Sequence, residues 1–406
     1  MNNELPLSGI KVLELAAVLA GPSVGMFLAE LGAQVLKVEN VTTRGDVTRN
    51  WKLPKEPAES DISGYFSCVN WGKSSFAADL CQPEGLELIY KLTQHCDIIL
   101  VNYKPGDAEK LKVDYPTLKK HNEALIYSHI TGYGLGNQRA GFDAIIQAES
   151  GFTYMNGEPG GPPIKMPVAL MDLLAAHQVK EAILLALLQR ERTGKGQYIE
   201  ASLFRAGIAS LANQATNWLV GQTIPQRMGS DHPNIVPYGT IFQTADNKGI
   251  VIAAGTDKQY RELVKALGRP ELAEDPRFAR NQDRVVNKGV INAIIQECIG
   301  NYKREEILHI LEKKRIPAGG VFNMKEVFEV PESEPMILRG QYNSGMEIKG
   351  VRSVAFSTSD PMALEQLSPP PHYGEHTRQI LEEWLKLTES EIDNLINKGV
   401  VYARKD

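Results

Sequence analysis

The chain has 406 residues, 43% of them hydrophobic and 23% charged, with a net charge of −5. That length predicts two domains, and the composition is that of a soluble globular protein. Lys and Arg are scattered, so no nucleic-acid footprint is expected, and no run of 18 apolar residues predicts a membrane span. The N-terminus lacks a basic segment followed by an apolar one, so no signal peptide is expected. Cys68, Cys81, Cys96 and Cys298 lie far apart, which predicts reduced thiols, a cytoplasmic location and no metal site.

Ile10 to Leu15 reads as a strand, and Gly21-Pro22 opens a helix over Ser23 to Leu31. Gly32 ends it, and Gln34 to Glu39 is a second strand. This β-α-β unit implies parallel strands. The intervening turn, AAVLAGP, has one Gly where a dinucleotide fingerprint has three, which argues against an NAD(P)-dependent dehydrogenase. A helix start beside exposed backbone N–H groups still suits a phosphate. The loop from Thr43 to Tyr65 is long enough to be functional. Strands follow at Ser74 to Leu80, Asp97 to Asn102 and Leu125 to Thr131, with a helix from Pro83 to Gln94. The alternation predicts an α/β fold with a doubly wound parallel sheet. Ligands bind such sheets at the carboxyl ends of the strands. Three loops lie there: Ala17 to Pro22, Asn102 to Gly106 and Gly132 to Asp143.

Gly151 to Pro167 reads as an irregular lead-in to the stretch Met166 to Arg192. Asp172 is a lone carboxylate near its start, with apolar neighbours. The run Ala182 to Leu188 is apolar on every face and predicts a helix buried on all sides, stopped at Thr193-Gly194. Asp172 is then either a helix cap or a chemical tool. An ordinary carboxylate value near ~4 would leave it ionised at neutral pH, and a poorly hydrated carboxylate is a competent nucleophile. Tyr198 to Ser202 reads as a strand and Leu203 to Leu219 as a helix. A hairpin over Ile241 to Ala254 and helices at Asp257 to Leu267, Asn287 to Ile299 and Arg304 to Lys314 predict a small α+β domain. A β-like section spans 338 to 360, and a closing helix runs from Arg378 to Leu387. That small domain is expected over 225–330.

Several segments in order, VLELAAVLAGP (12–22), LGAQVLKVE (31–39), Gly45-Asp46, NWGK (70–73), DIILVNYKPG (97–106), ITGYG (130–134), AGFDAIIQAESG (140–151), RTGKGQYIEASL (192–203), HPNIVPYG (232–239) and GEHT (374–377), resemble the class III coenzyme A transferases over almost the whole chain. The resemblance implies a Rossmann-like large domain over 1–224, completed by 331–406, with the small domain 225–330 between, and an interlocked, ring-shaped homodimer. It implies acyl-CoA and a small carboxylic acid as substrates, with no resident cofactor and no membrane partner. It places the catalytic aspartate at Asp172, which would form an aspartyl anhydride and then an aspartyl-CoA thioester. CoA would lie along backbone groups of Val18, Leu19 and Ala20. Asn102, Lys104 and Lys110 would meet its pantetheine and phosphates, with Lys110 standing where the family often has Arg. Phe142, Asp143, His232, Asn234 and Tyr238 would shape the acyl pocket. A loop cap is the alternative for Asp143, and a mere fixing of the linker is the alternative for His232, Asn234 and Tyr238. The rival is an α-methylacyl-CoA racemase of the same fold, which needs a second base; racemases carry His where this chain has Phe142.

Overall fold

The computed structural model describes residues 5–360 and 362–405. The chain divides into two compact units: residues 1–150, 166–216 and 336–406 form the first, and 151–165 with 217–335 the second. The segment 151–165, placed with the large domain by sequence, thus groups with the second unit.

The first unit is built on a seven-stranded sheet. Its parallel strands are β1 (Lys11–Glu14), β2 (Gln34–Asn40), β3 (Lys73–Ala78), β4 (Ile98–Val101), β5 (Ile126–Thr131) and β6 (Tyr198–Ser202), in the order β3-β2-β1-β4-β5-β6. β4 and β5 are buried along their whole length, as strands covered on both faces must be. The order reverses between β1 and β4, so a crevice opens beyond their carboxyl ends. Helix α1 (Ala20–Glu30) leaves β1 after only five residues and is buried throughout. It sits this close because Gly21 and Gly25 face Ala16 and the Glu14 carboxylate, where any Cβ would collide.

A long helix, Leu170–Thr193, packs on α1 and on the β5–β6 side of the sheet. Ala175, Ala176, Val179, Ile183 and Ala186 form its buried face. The expectation of burial on all sides fails here: Leu184, Leu185 and Leu188 are exposed, Leu185 by 66%. One helix face finds the sheet; the other apolar face has no cover among the described residues. The predicted helix 203–219 is broken into Leu203–Ala209 and Asn213–Leu219, with Ala212 in a left-handed conformation between them. Among the described residues no helix is long and apolar enough to cross a membrane.

Sequence reading stops at the closing helix. The structure adds a further helix, Glu389–Asn397, and a two-residue strand, Val401–Tyr402, antiparallel to β3. His376 and Thr377 complete that edge: His376 Nδ1 accepts from Ser75 N–H (3.3 Å) and Thr377 Oγ1 from Ala77 N–H (3.0 Å). The second unit holds a three-stranded antiparallel sheet (Tyr238–Gln243, Gly249–Ala253, Ala318–Gly320) and a helical layer around Tyr260, Phe278, Ile295 and Leu311.

Val400 and Val401 are buried in the main core with Leu381 and Ile392. Truncating either to Ala should cost about 2 kcal/mol, read as a thermal midpoint lower by a few degrees. Substitution of the exposed Lys405 should leave the midpoint unchanged.

Candidate functional site

Beyond the ends of β1, β4 and β5 lies a cavity of about 290 Å3. Its walls bring together the three loops named from sequence, as Ala17–Ala20, Asn102–Pro105 and Ile130–Gly132 with Arg139–Asp143. Asp172 lines the same cavity. A neighbouring cavity of about 380 Å3 lies over the ends of β1 to β3 and shares Ala17 and Tyr103 with the first.

Asp172 is the third residue of the long helix and is half-buried. The cap reading fails for it. The helix's flanking residue is Ala169, which makes no side-chain cap, and among the described residues no hydrogen bond reaches the Asp172 carboxylate. Asp143 does that work instead. Its Oδ1 accepts from Met171 N–H (2.8 Å), the first-turn donor beside Asp172, and its Oδ2 accepts from Gln147 (2.7 Å). Gln147 is fully buried and also binds Met166 N–H (2.9 Å) and the Val168 carbonyl (3.2 Å). The Asp143–Gln147 pair therefore stitches the irregular lead-in to the helix start. Gln147 was missed by sequence, because a Gln one turn after an Asp is ordinary on any helix.

Burial, and then the nearby Asp143 charge, push the Asp172 carboxyl up to about 7. The expectation of an ordinary value is corrected: no donor or cation offsets the lost hydration. An acid in this state is half-ionised at neutral pH and poorly solvated when ionised, which suits nucleophilic or basic chemistry.

The remaining expected residues separate into groups. Val18, Leu19 and Ala20 line the cavity. Among the described residues the N–H groups of Leu19 and Ala20 have no acceptor, as the first donors of a helix lack one within it. Asn102 lines the cavity too, but its amide is used at both ends by Ala17, accepting from its N–H (3.0 Å) and donating to its carbonyl (2.7 Å). Its work is to hold a turn, not to offer a loose amide. Lys104 lines the cavity, exposed, with no side-chain partner among the described residues. Lys110 does not line it; its ammonium lies on the surface against Asp107 (2.9 Å). The resemblance placed Lys110 at the coenzyme's phosphates; here Asp107 starts a short helix that carries Lys110 away from this cavity.

Phe142 is 69% exposed at the rim. Gly132 and Gly141 cross backbone to backbone beside it, so closely that a Cβ on either would enter the other's chain. Arg139, also on the wall, lies over the Tyr133 ring (4.4 Å) and pairs with Glu149. As a lone Arg in a polar loop it gave no sequence signal. His232, Asn234 and Tyr238 belong to the second unit. There His232 Nδ1 accepts from Asn234 N–H (3.1 Å), His232 N–H donates to the Tyr238 carbonyl (2.9 Å), and the His232 and Tyr238 rings meet edge to face. These contacts fix the linker. Among the described residues no cluster of His, Cys, Asp or Glu could hold a metal.

Residues 7–377 match CoA-transferase family III. The chain is 38% identical to succinate–glutarate CoA-transferase of Agrobacterium fabrum, over 94% of this chain and 96% of that protein. It is 35% identical to human succinyl-CoA:glutarate CoA-transferase, over 99% and 91%. A CAIB/BAIF family protein from Brucella suis superposes with a TM-score of 0.84 at 38% identity, over 94% of this chain and all of that one.

If Asp172 reacts as a carboxylate, kcat/KM should rise with pH through about 7. Asp143→Asn, which removes the neighbouring charge, should move that midpoint to lower pH; a profile flat from pH 5 to 9 would count against the ionisation. Stability runs the other way. The folded value lies above the 3.8 of a free Asp, so from about pH 4 to 7 the unfolded chain ionises first and stability falls as pH rises. Asp172→Asn should therefore raise the thermal midpoint more at pH 8 than at pH 5.

Proposed function

The chain belongs to CoA-transferase family III, and from that membership we propose that it moves coenzyme A from an acyl-CoA to a free dicarboxylic acid, with Asp172 as the covalent nucleophile. The observation that carries the reading is Asp172 itself: a half-buried carboxylate with no hydrogen bond among the described residues, on the wall of a cavity at the switch point of the sheet. The two relatives named above, one from a bacterium and one human, are named for succinate or succinyl-CoA with glutarate, which supports dicarboxylates as the acid class.

The steps follow from the chemistry of these groups. An Asp172 oxygen attacks the thioester carbonyl carbon; the C–S bond breaks and leaves an aspartyl-acyl anhydride and the CoA thiolate. The thiolate attacks the aspartyl carbonyl, which forms the Asp172–CoA thioester and releases the donor acid as its carboxylate. The acceptor carboxylate attacks that thioester, giving a second anhydride and thiolate. The thiolate takes the new acyl group, and Asp172 returns as a carboxylate. Each step trades one activated acyl bond for another, so water must be kept out. The unpartnered N–H groups of Leu19 and Ala20 are suited to the oxygen charge that develops at each attack. The adjoining cavity over β1 to β3 has room for the nucleotide end of CoA, and Lys104 supplies a phosphate partner. Among the described residues no histidine lines the Asp172 cavity, and Phe142 carries no proton, which disfavours a racemase.

Incubation with succinyl-CoA followed by hydroxylamine should modify Asp172, seen by peptide mass spectrometry. Asp172→Ala should abolish exchange into glutarate, and full turnover in that variant would refute the assignment.

We also propose a homodimer, of the interlocked kind that the family resemblance implies. It would cover the exposed row Leu184, Leu185 and Leu188, which is apolar where a monomer surface would be polar. Leu185→Glu should convert the dimer to monomer in sedimentation; a variant that sediments as a dimer would remove this row from the interface.

A further inference from the structure

Asp46 belongs to the Gly45-Asp46 pair noted in the sequence, and no chemical step uses it. It is 5% exposed. Its carboxylate collects four donors: Thr48 N–H (3.0 Å) and Thr48 Oγ (2.8 Å) on Oδ1, Lys37 Nζ (2.9 Å) on Oδ2, and Val18 N–H at 3.2 Å from Oδ2 and 3.4 Å from Oδ1. The last contact reaches the loop that walls the Asp172 cavity. Val18 has φ +70°, a left-handed conformation that a β-branched residue adopts only under constraint.

The same loop is held at nearly every other polar point. Lys37 Nζ donates to the Ala16 carbonyl (3.0 Å), Asn102 takes both polar groups of Ala17, and Lys73 Nζ donates to the Pro22 carbonyl (2.8 Å). Glu14 ties Lys37 (3.2 Å) to Lys73 (2.8 Å) beneath. The Leu19 and Ala20 N–H groups, at the start of α1, are left without an acceptor among the described residues. The Leu19 N–H belongs to the peptide that follows Val18, so its direction is set by the Val18 conformation.

We propose that Asp46 is a positioning residue for acyl transfer: by holding Val18 in its left-handed conformation it orients the Val18–Leu19 peptide and so aims the Leu19 N–H at the oxygen of the group that reacts with Asp172. Asn cannot replace it. Asn offers one oxygen where four donors converge on two, and its own N–H₂ would face Lys37 or Val18. This inference rests on Asp172 being the nucleophile. The two readings fail separately: turnover in Asp172→Ala removes the nucleophile, whereas an undiminished kcat in Asp46→Asn, with Asp172→Ala inactive, removes the present one.

Asp46→Asn should lower kcat for succinyl-CoA and glutarate about 100-fold, as small misplacements near reacting atoms do. KM for either substrate should stay within about threefold, because apart from the Val18–Leu19 peptide the walls of the cavity are unmoved. Adding Val18→Gly, which adopts the left-handed conformation without help, should recover at least about tenfold of the lost kcat. If Asp46→Asn does not fold, Thr48→Val removes one of its orienting bonds at nearly constant shape and should lower kcat about fivefold, again reversed by Val18→Gly. A folded Asp46→Asn or Thr48→Val with unchanged kcat, or a defect that Val18→Gly does not relieve, overturns the proposal.

Discussion

Beneath the carboxyl ends of β1, β2 and β3 lies a layer of charge that water does not reach. Glu14, Glu39 and Asp46 meet Lys37, Lys73 and Arg49, and each of the six is at most 5% exposed. Glu39 binds Arg49 (2.7 Å) and accepts from Asp46 N–H (3.0 Å), which joins the two halves of the layer. Buried charges are tolerated only when paired and hydrogen-bonded, and losing one partner strands the other. The layer sums to zero and is densely bonded. Burial opposes the charge on Asp46, but Lys37 and the Thr48 bonds outweigh it and hold the carboxyl far below its usual range. Such a layer adds little net stability. It specifies geometry, and the geometry specified is that of the loop from Ala16 to Pro22.

Asp172 shows the opposite economy. It stands at a helix start, where a carboxylate is ordinarily bonded to backbone N–H groups, and takes none of those bonds. Asp143 takes one of them, so the helix is capped without using the reactive side chain. The consequence is a raised carboxyl and a folded state that is less stable when Asp172 is ionised. A group held against its own stability in a cavity is the pattern of a working site rather than a structural one. The charged layer and the bare carboxylate belong together: one wall is rigid by over-determination, and the acid that faces the same cavity is left unsatisfied.

Local patterning carried a large part of this protein. Strand and helix order, the parallel sheet and the three loops at strand ends follow from hydrophobic runs punctuated by Gly and Pro. Gly21-Pro22 marked the start of α1 to within a residue or two. Asp172 stood out as a lone acid among apolar neighbours, and the ordered motifs pointed to the family. These signals are short-range, and short-range order survives in a string of letters.

What the string could not hold is which groups meet across it. Whether Asp172 or Asp143 caps the long helix depends on 28 residues of chain folding back. Asp46 reaches Val18 from another loop, also 28 residues away. Lys110, placed at the coenzyme by the resemblance, lies on the surface beside Asp107, which starts a helix just before it. Leu184, Leu185 and Leu188 read as buried because an apolar run looks alike whether its cover comes from the same chain or from outside it. The sequence by itself determined the elements, their order and the candidate acid, because periodicity and turn chemistry are local. Only the tertiary structure decided which carboxylate is bonded and which is bare, because burial and pairing are settled by contacts between distant segments.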